Sequence, residues 1–336
     1  PGAISRYCVD APPAAYFLAE RFWPGPLTIV LKSSEIVPPI VRAGGDTVAL
    51  RCPDHKATLA LLNKTGLPLA APSANPSGLP SPKTAQEVLA YFDGAIEAVI
   101  DGGECGIGRE STIIDLSVTP YRILREGALS EKEVFSALAE NVKIIGITGG
   151  TGGGKTTALN VLKEMGALTI DCDEVYHRLT TDSAEMLSEL ETRFPGVVKK
   201  GVLQRKLLGE TVFSDSQALA DLNAITHRYV IAEVDRQITQ WARMGGSLAA
   251  IDAIALIECG LARRCAAVVG IIAPRDVRVR RLMDREGISR EYAEKRIDAQ
   301  QRDEFYYKNC DFVLVNDKSQ DEFRKQCEEL FKRILS

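Results

Sequence analysis

Near the middle of the chain, Gly149-Gly150-Thr151-Gly152-Gly153-Gly154-Lys155-Thr156-Thr157 has the residue types and spacing of a phosphate cradle, G-x-x-x-x-G-K-[ST]. Gly150, Gly152, Gly153 and Gly154 let backbone N–H groups curl around an anion, and a helix opening at Lys155, Thr156 and Thr157 adds the positive end of its dipole. Lys155 would reach the β- and γ-phosphates of a nucleotide, and the Thr156 hydroxyl would ligate Mg²⁺. The bland alternative is a flexible glycine-rich turn. Carboxylates stand at matching places. Ala249-Ala250-Ile251-Asp252 is an apolar strand ending in an acid, either a Mg²⁺-organising aspartate or an ordinary strand-end residue. Ile170-Asp171-Cys172-Asp173 ends another strand and opens a helix. An acid there can take a proton from an attacking hydroxyl, or cap the helix, which Asp173 could also do. Arg281 and Arg285, four apart on one helix face, could clamp a transferring phosphoryl group; a solvated, ion-paired face is the alternative reading for Arg278, Arg280, Arg281 and Arg285.

These groups need a scaffold, and the hydrophobic pattern supplies one. From about residue 142 the chain alternates strand and helix, which predicts a parallel sheet. The candidate strands are 143–148, 168–171, 248–252, 267–273 and 312–316, with a helix over 131–141 leading into the first. Ligands of such sheets sit outside the carboxyl ends of the strands, where the loop and the aspartates fall. Residues 1 to about 140 read differently. Prolines are dense, short apolar strands are expected at 27–31, 48–51, 67–71, 98–101, 112–116 and 122–124, and helices at 14–22 and 84–91. The expectation is an α/β P-loop domain, residues 141–336, preceded by an α+β domain, residues 1–140.

The 336 residues are enough for two cores, and the net charge of −4 gives no global basic footprint for nucleic acid. The best membrane candidate, 248–262, is interrupted by Asp252 and Glu258. Eight cysteines scattered singly suit reduced thiols in a cytoplasmic protein better than a disulfide framework or a zinc site. No membrane partner and no direct nucleic-acid binding are expected, and the oligomeric state is left open. The N-terminus, Pro1-Gly2-Ala3-Ile4, reads as neither a signal peptide nor a translation start.

The phosphate loop, Ile170 to Asp173, Leu222-Asn223-Ala224-Ile225-Thr226-His227, Asp252 to Glu258, Arg281 to Arg285 and Arg296-Ile297-Asp298-Ala299-Gln300 together resemble dephospho-coenzyme A kinase, in order over residues 142–336. The resemblance implies a five-stranded P-loop kinase with a helical acceptor region at about 180–245 and an arginine-bearing lid. It also implies ATP-dependent phosphorylation of the ribose 3′-hydroxyl of dephospho-coenzyme A. It assigns Lys155, Asp173, Arg281 and Arg285 to catalysis, Asp173 as base. Asp171, Arg205 and Asp252 fall to substrate, and Thr156 and Asp252 to the metal. Two departures stand out. Ile254 and Ala255 occupy positions where the family commonly has proline and leucine, which would reshape the acceptor wall. His227-Arg228 replaces a histidine–proline pair, which would alter a turn. Another P-loop nucleotide or small-molecule kinase is the alternative. A regulatory GTPase is a further one, though no N-K-x-D segment lies in this half.

Residues 22–28, 48–53, 72–78, 110–115 and 124–127 are similar to the YrdC-type threonylcarbamoyl-AMP synthases, which bind ATP, threonine and bicarbonate and feed tRNA modification. The resemblance implies that Ser73, Asn75, Ser111 and Arg125 line a nucleotide and carbonate site. No counterpart of that family's opening strands or its lysine–arginine phosphate motif stands before Phe22. The expectation is therefore a truncated domain, inactive or badly impaired as a synthase.

Overall fold

In the computed structural model, residues 1–213 and 215–336 are described. Contacts divide the chain into two units, Pro1–Asn141 with Ala242–Gly245, and Val142–Trp241 with Gly246–Ser336.

In the first unit the elements run α1 (Ile4–Tyr7), α2 (Pro13–Phe22), β1 (Leu27–Lys32), β2 (Thr47–Leu50), α3 (Lys56–Thr65), α4 (Ala85–Phe92), β3 (Thr112–Asp115), β4 (Arg122–Arg125) and α5 (Glu131–Glu140). The sheet order is β2-β1-β3-β4, with β1 and β3 parallel and both outer pairs antiparallel. Leu27, Ile29 and Leu31 alternate along β1 and are fully buried, as a half-covered strand requires; Leu18 of α2 and Val134 of α5 are buried as well. A Ser130–Glu133 capping box starts α5. Two expected strands are absent. Residues 67–71 and 98–101 form no ladder, and Leu67 and Ile100 are 61% and 78% exposed. A short apolar run becomes a strand only where a ladder pairs with it, and the sheet β2-β1-β3-β4 includes neither run. The helix α3 was unforeseen. His55 caps it by accepting from the Thr58 N–H, and neither α3 nor α4 has a buried residue.

The second unit contains β5 (Lys143–Thr148), α6 (Lys155–Glu164), β6 (Leu168–Asp171), α7 (Cys172–Asp182), α8 (Ala184–Arg193), β7 (Val198–Lys199), β8 (Val202–Leu203), α9 (Arg205–Phe213), α10 (Ser216–Arg243), β9 (Leu248–Asp252), β10 (Ala267–Ile272), α11 (Arg275–Glu286), α12 (Arg290–Asp298), α13 (Asp303–Asn309), β11 (Phe312–Val315) and α14 (Gln320–Leu335). Five parallel strands lie in the order β11-β10-β5-β9-β6, so all five expected strands are present. Ile145 and Ile147 of β5, Ala250 of β9 and Val269 and Ile271 of β10 pack with Val161 and Leu162 of α6 and Phe323 and Phe331 of α14. Burying nearly every side chain of a central strand removes its alternation, which is why these strands read as plain apolar runs. The 180–245 region is helical as expected, apart from the unforeseen β7–β8 hairpin. The pair α11–α12 has its own small core of Val279, Leu282, Ala293 and Ile297. No helix among the described residues is long and apolar enough to cross a membrane.

Candidate active site

Strand β5 ends at the centre of the sheet, with β9 and β10 on either side, and the glycine loop fills the gap to α6. The loop is shaped by what touches it. Gly154 caps α6 at φ 111°, and a Cβ there would collide with the Asn316 side-chain amide. A Cβ on Gly150 would collide with the Arg278 guanidinium. Gly154 therefore excludes a side chain for steric and conformational reasons, and Gly150 for steric reasons.

A cleft of about 490 Å³ opens above the carboxyl ends of the strands. Gly150, Gly152, Gly153, Gly154, Lys155, Thr156 and Thr157 form its floor, Asp171, Asp173 and Asp252 one wall, and Arg281, Arg285 and Arg296 another. Lys155 donates to the Gly149 carbonyl at 3.3 Å, and its Nζ lies 3.8 Å from Asp252 Oδ1. Strand register explains the acidic wall, since Asp252 pairs with Asp171 on β6 and with Ile147 on β5. Burial, helped by the charges of Asp171 and Asp173 and opposed by Lys155, raises the Asp252 carboxyl to about 6. Asp173 is raised in the same way, first by burial and then by Asp171, with Lys155 and His177 opposing. The helix cap belongs to Asp171, whose Oδ1 accepts from the N–H groups of Asp173 and Glu174 at 2.8 and 3.1 Å. That corrects the expectation that Asp173 could be the cap. A cap must precede the first turn with its own backbone extended, and Asp171 does so, whereas Asp173 already lies within α7. The Asp173 side chain is thereby left for the cleft.

Asp252 Oδ1 is buried without a hydrogen-bond partner, the ion-pair distance to Lys155 being too long for one. A buried, unsatisfied carboxylate oxygen beside two further acids and the Thr156 hydroxyl fits a hard cation. Among the described residues, no three His, Cys, Asp or Glu side chains could hold a metal by themselves.

Of the two expected clamp arginines, Arg281 is tied to the loop, and Arg285 to its neighbour Glu286. Arg281 donates to the Gly152 carbonyl at 3.1 Å and to Asn316 Oδ1 at 3.1 Å, and burial depresses its pKa. Arg285 is exposed and pairs with Glu286, which also holds Arg296. Sequence reasoning missed Asn316, a buried amide whose Nδ2 donates to the Gly153 carbonyl at 2.9 Å. Its place at the carboxyl end of β11 was the available signal.

A second cavity, about 290 Å³, shares Asp173 and Ile254 with the first. Tyr176 of α7 and Asn223, Thr226 and His227 of α10 line it, the latter three placed on one helix face by their spacing. Burial lowers the His227 pKa, against the pull of Glu258. Ile254 and Ala255 both form its wall, as the departure at those positions implied. At His227-Arg228, where the replacement of a histidine–proline pair was expected to alter a turn, the chain is a continuous helix. Both residues lie inside α10, and Arg228 pairs with Glu189 of α8. Helical periodicity continues through residue 228 because arginine, unlike proline, keeps its N–H and leaves the helix unbroken. Arg205 lines neither cavity. It donates to Thr180 Oγ1 at 2.9 Å, and its charge acts on Tyr176, whose ring lines the second.

In the first unit, three of the four singled-out residues join one polar network. Arg125 donates to the Ser111 carbonyl at 2.9 Å and to Ser111 Oγ at 3.2 Å, and its Nη1 pairs with Glu110 at 2.5 Å. Ser81 bridges Glu110, at 2.8 Å, to Asn75 Oδ1, at 3.4 Å. Ser111 Oγ is buried against Thr28 Oγ1 at 2.8 Å. Ser73 is exposed in the same loop as Asn75.

Comparison with known proteins follows the same division. The family model described as telomere recombination, for Sua5, YciO and YrdC proteins, matches residues 1–127, and the one described as dephospho-CoA kinase matches residues 143–322. A threonylcarbamoyl-AMP synthase from Pyrococcus abyssi is 50% identical over 131 residues, covering 39% of this chain and 38% of that protein. The chain spans between 30% and 38% of the length of three such synthases, from Pyrococcus abyssi, Bacillus subtilis and Schizosaccharomyces pombe. A dephospho-CoA kinase from Dehalococcoides mccartyi is 34% identical over 198 residues, covering 57% of this chain and 97% of that protein. A crystal structure from Thermus thermophilus, 32% identical, aligns at a TM-score of 0.50 over 57% of this chain and 98% of its own. With the loop, the five-stranded parallel sheet and a nearly full-length relative in agreement, the chain belongs to the dephospho-CoA kinase family, and carries a Sua5/YrdC-type segment ahead of the kinase.

Proposed function

We propose that the chain is an ATP-dependent kinase whose domain of residues 141–336 phosphorylates the ribose 3′-hydroxyl of dephospho-coenzyme A. The observation that carries this reading is the junction of the two cavities at Asp173. One cavity offers a phosphate-cradling loop and arginines, the other a pocket for an acceptor, and the only ionisable side chain common to both is a carboxylate with a raised pKa. Phosphoryl transfer is mostly positioning and charge neutralisation, which is what these residues supply. The loop N–H groups and Lys155 hold the β- and γ-phosphates. Asp173 orients the acceptor hydroxyl and accepts its proton, and a pKa lifted toward neutrality makes it a better base than an ordinary aspartate. Arg281 and Arg285 face the transferring group from α11 and help to exclude water, which would otherwise hydrolyse ATP. Thr156 and Asp252 would hold Mg²⁺, which when bound neutralises phosphate charge. Asp171 keeps the start of α7, and so Asp173, in place.

The test is ADP release with dephospho-coenzyme A, against a panel of nucleosides and small alcohols. Turnover with a panel member and none with dephospho-coenzyme A would reassign the acceptor and favour a different P-loop kinase.

A further inference from the structure

Arg278 does not line the phosphate cleft, and yet it is 6% exposed and, among the described residues, makes no ion pair with a carboxylate. A desolvated guanidinium needs a reason. Its Nε donates to the Thr151 carbonyl at 3.0 Å, and its Nη2 to Gln300 Oε1 at 2.6 Å. Gln300 Oε1 also accepts from the Thr151 N–H at 2.9 Å, while Gln300 Nε2 donates to Thr151 Oγ1 at 2.7 Å. Arginine has no acceptor, so the Gln300 amide can face it only with its oxygen. The N–H, carbonyl and hydroxyl of Thr151 are therefore all held by two side chains from the α11–α12 region. Arg278 lies one turn from Arg281, which grips the Gly152 carbonyl.

We propose that Arg278 and Gln300 are positioning residues for nucleotide binding: they latch Thr151 so that the loop's remaining N–H groups face the phosphates, and they tie the shape of the loop to the helix pair that carries Arg281 and Arg285. The proposal rests on reading the loop as the phosphate site. Its logic is that three carbonyls of the loop, at Thr151, Gly152 and Gly153, are drawn toward donors on α11 or on Asn316. Turning carbonyls away from an anion is as necessary as turning N–H groups toward it. The Gly150 position supports this independently, since any side chain there would displace the same guanidinium.

The experiment titrates the full chain with Mg²⁺–ADP by calorimetry, for wild type, Arg278→Met, Gln300→Leu and the double variant, with KM for dephospho-coenzyme A measured alongside. Each single variant is expected to weaken ADP binding about tenfold or more, the scale of a hydrogen bond to a charged group. The double variant should be little worse than either single, because all the bonds converge on one residue. KM for the acceptor should change by less than about twofold, as expected for a site that touches only one substrate. If Arg278→Met fails to fold, Gln300→Leu, with its fold checked by circular dichroism and thermal melting, carries the test alone. Unchanged ADP affinity in Gln300→Leu, additive losses, or equal losses for both substrates would overturn the positioning role. Failure of the wild-type chain to bind ADP would instead remove the kinase reading itself.

Discussion

Replacing Asp252 by asparagine should make the kinase unit more stable and inactive at once. The native fold holds this carboxyl at about 6 instead of 3.8, chiefly through burial, and the side chain is only 13% exposed. A proton held more tightly by the folded than by the unfolded chain means that stability falls as pH rises from about 4 to about 6, then levels off. Above both values the ionised form costs about 3 kcal/mol relative to the neutral one, from roughly two pH units at 1.36 kcal/mol each. That figure already contains the attraction of Lys155. Asparagine is a permanently neutral isostere, so Asp252→Asn should gain about 3 kcal/mol at pH 7.5 and about 1 kcal/mol at pH 4.5. In a domain of this size the larger gain is a rise in melting temperature of roughly 6–12 °C. The assay is thermal unfolding in EDTA at both pH values. A Trp23→Phe background leaves Trp241 as the single tryptophan reporter for the second unit. Adding Mg²⁺–ATP should raise the melting temperature of wild type more than that of the variant, since the variant lacks the carboxylate. A variant that melts lower than wild type at pH 7.5, or a difference that does not depend on pH, would refute the reasoning.

Lys155→Ala should lower kcat at least about a hundredfold, because one aimed charge at the transferring phosphoryl group is worth a few kcal/mol; a steady-state ADP-release assay reads it. Asp173→Asn should cut kcat by about 10²–10⁴ while the Kd for ATP stays within a few-fold, and an unchanged rate would remove Asp173 from the base role. Because the Asp173 carboxyl is raised by burial and by Asp171, the acidic limb of kcat/KM should lie at higher pH than for an ordinary aspartate, and Asp173→Asn should remove the contribution of Asp173 to it. The chain as it stands should form no threonylcarbamoyl-AMP from ATP, threonine and bicarbonate, since the Arg125 guanidinium is already neutralised by Glu110; mass-spectrometric detection of that product would contradict this.

The second unit was legible because its chemistry is local. A buried central strand followed by glycines, a lysine and a helix is a contiguous signal, and the acids at 171, 173 and 252 sit at strand ends that the apolar runs mark. What was not legible depends on partners far away in sequence. Arg278 looked like one more member of a charged helix face, and only the approach of Thr151 and Gln300 explains its burial. The strand-end position of Asn316 hints at the cleft, but not at its grip on Gly153, 163 positions away. The misjudged strands at 67–71 and 98–101 fail for a related reason, since composition reports the preference of a segment but not whether a ladder pairs with it. Conversely, α3 was hidden because it buries none of its residues, so its sequence carries no sharp core stripe.

Strand β9 lies between β5 and β6, although it follows both in the chain and is separated from β6 by residues 172–247. During synthesis β5 and β6 therefore emerge with no direct partner in each other, and each waits for a later segment to be threaded between them. The residue that closes the acidic wall, Asp252, arrives at the end of that insertion. A nascent chain halted before residue 248 would hold β5 without either neighbour and β6 without its one neighbour, and no complete nucleotide pocket, so neither cofactor nor substrate could rescue it. Ligand-assisted maturation is open to this enzyme only once the ribosome has also passed β10 and β11, whose flanking residues Arg281 and Asn316 hold the loop.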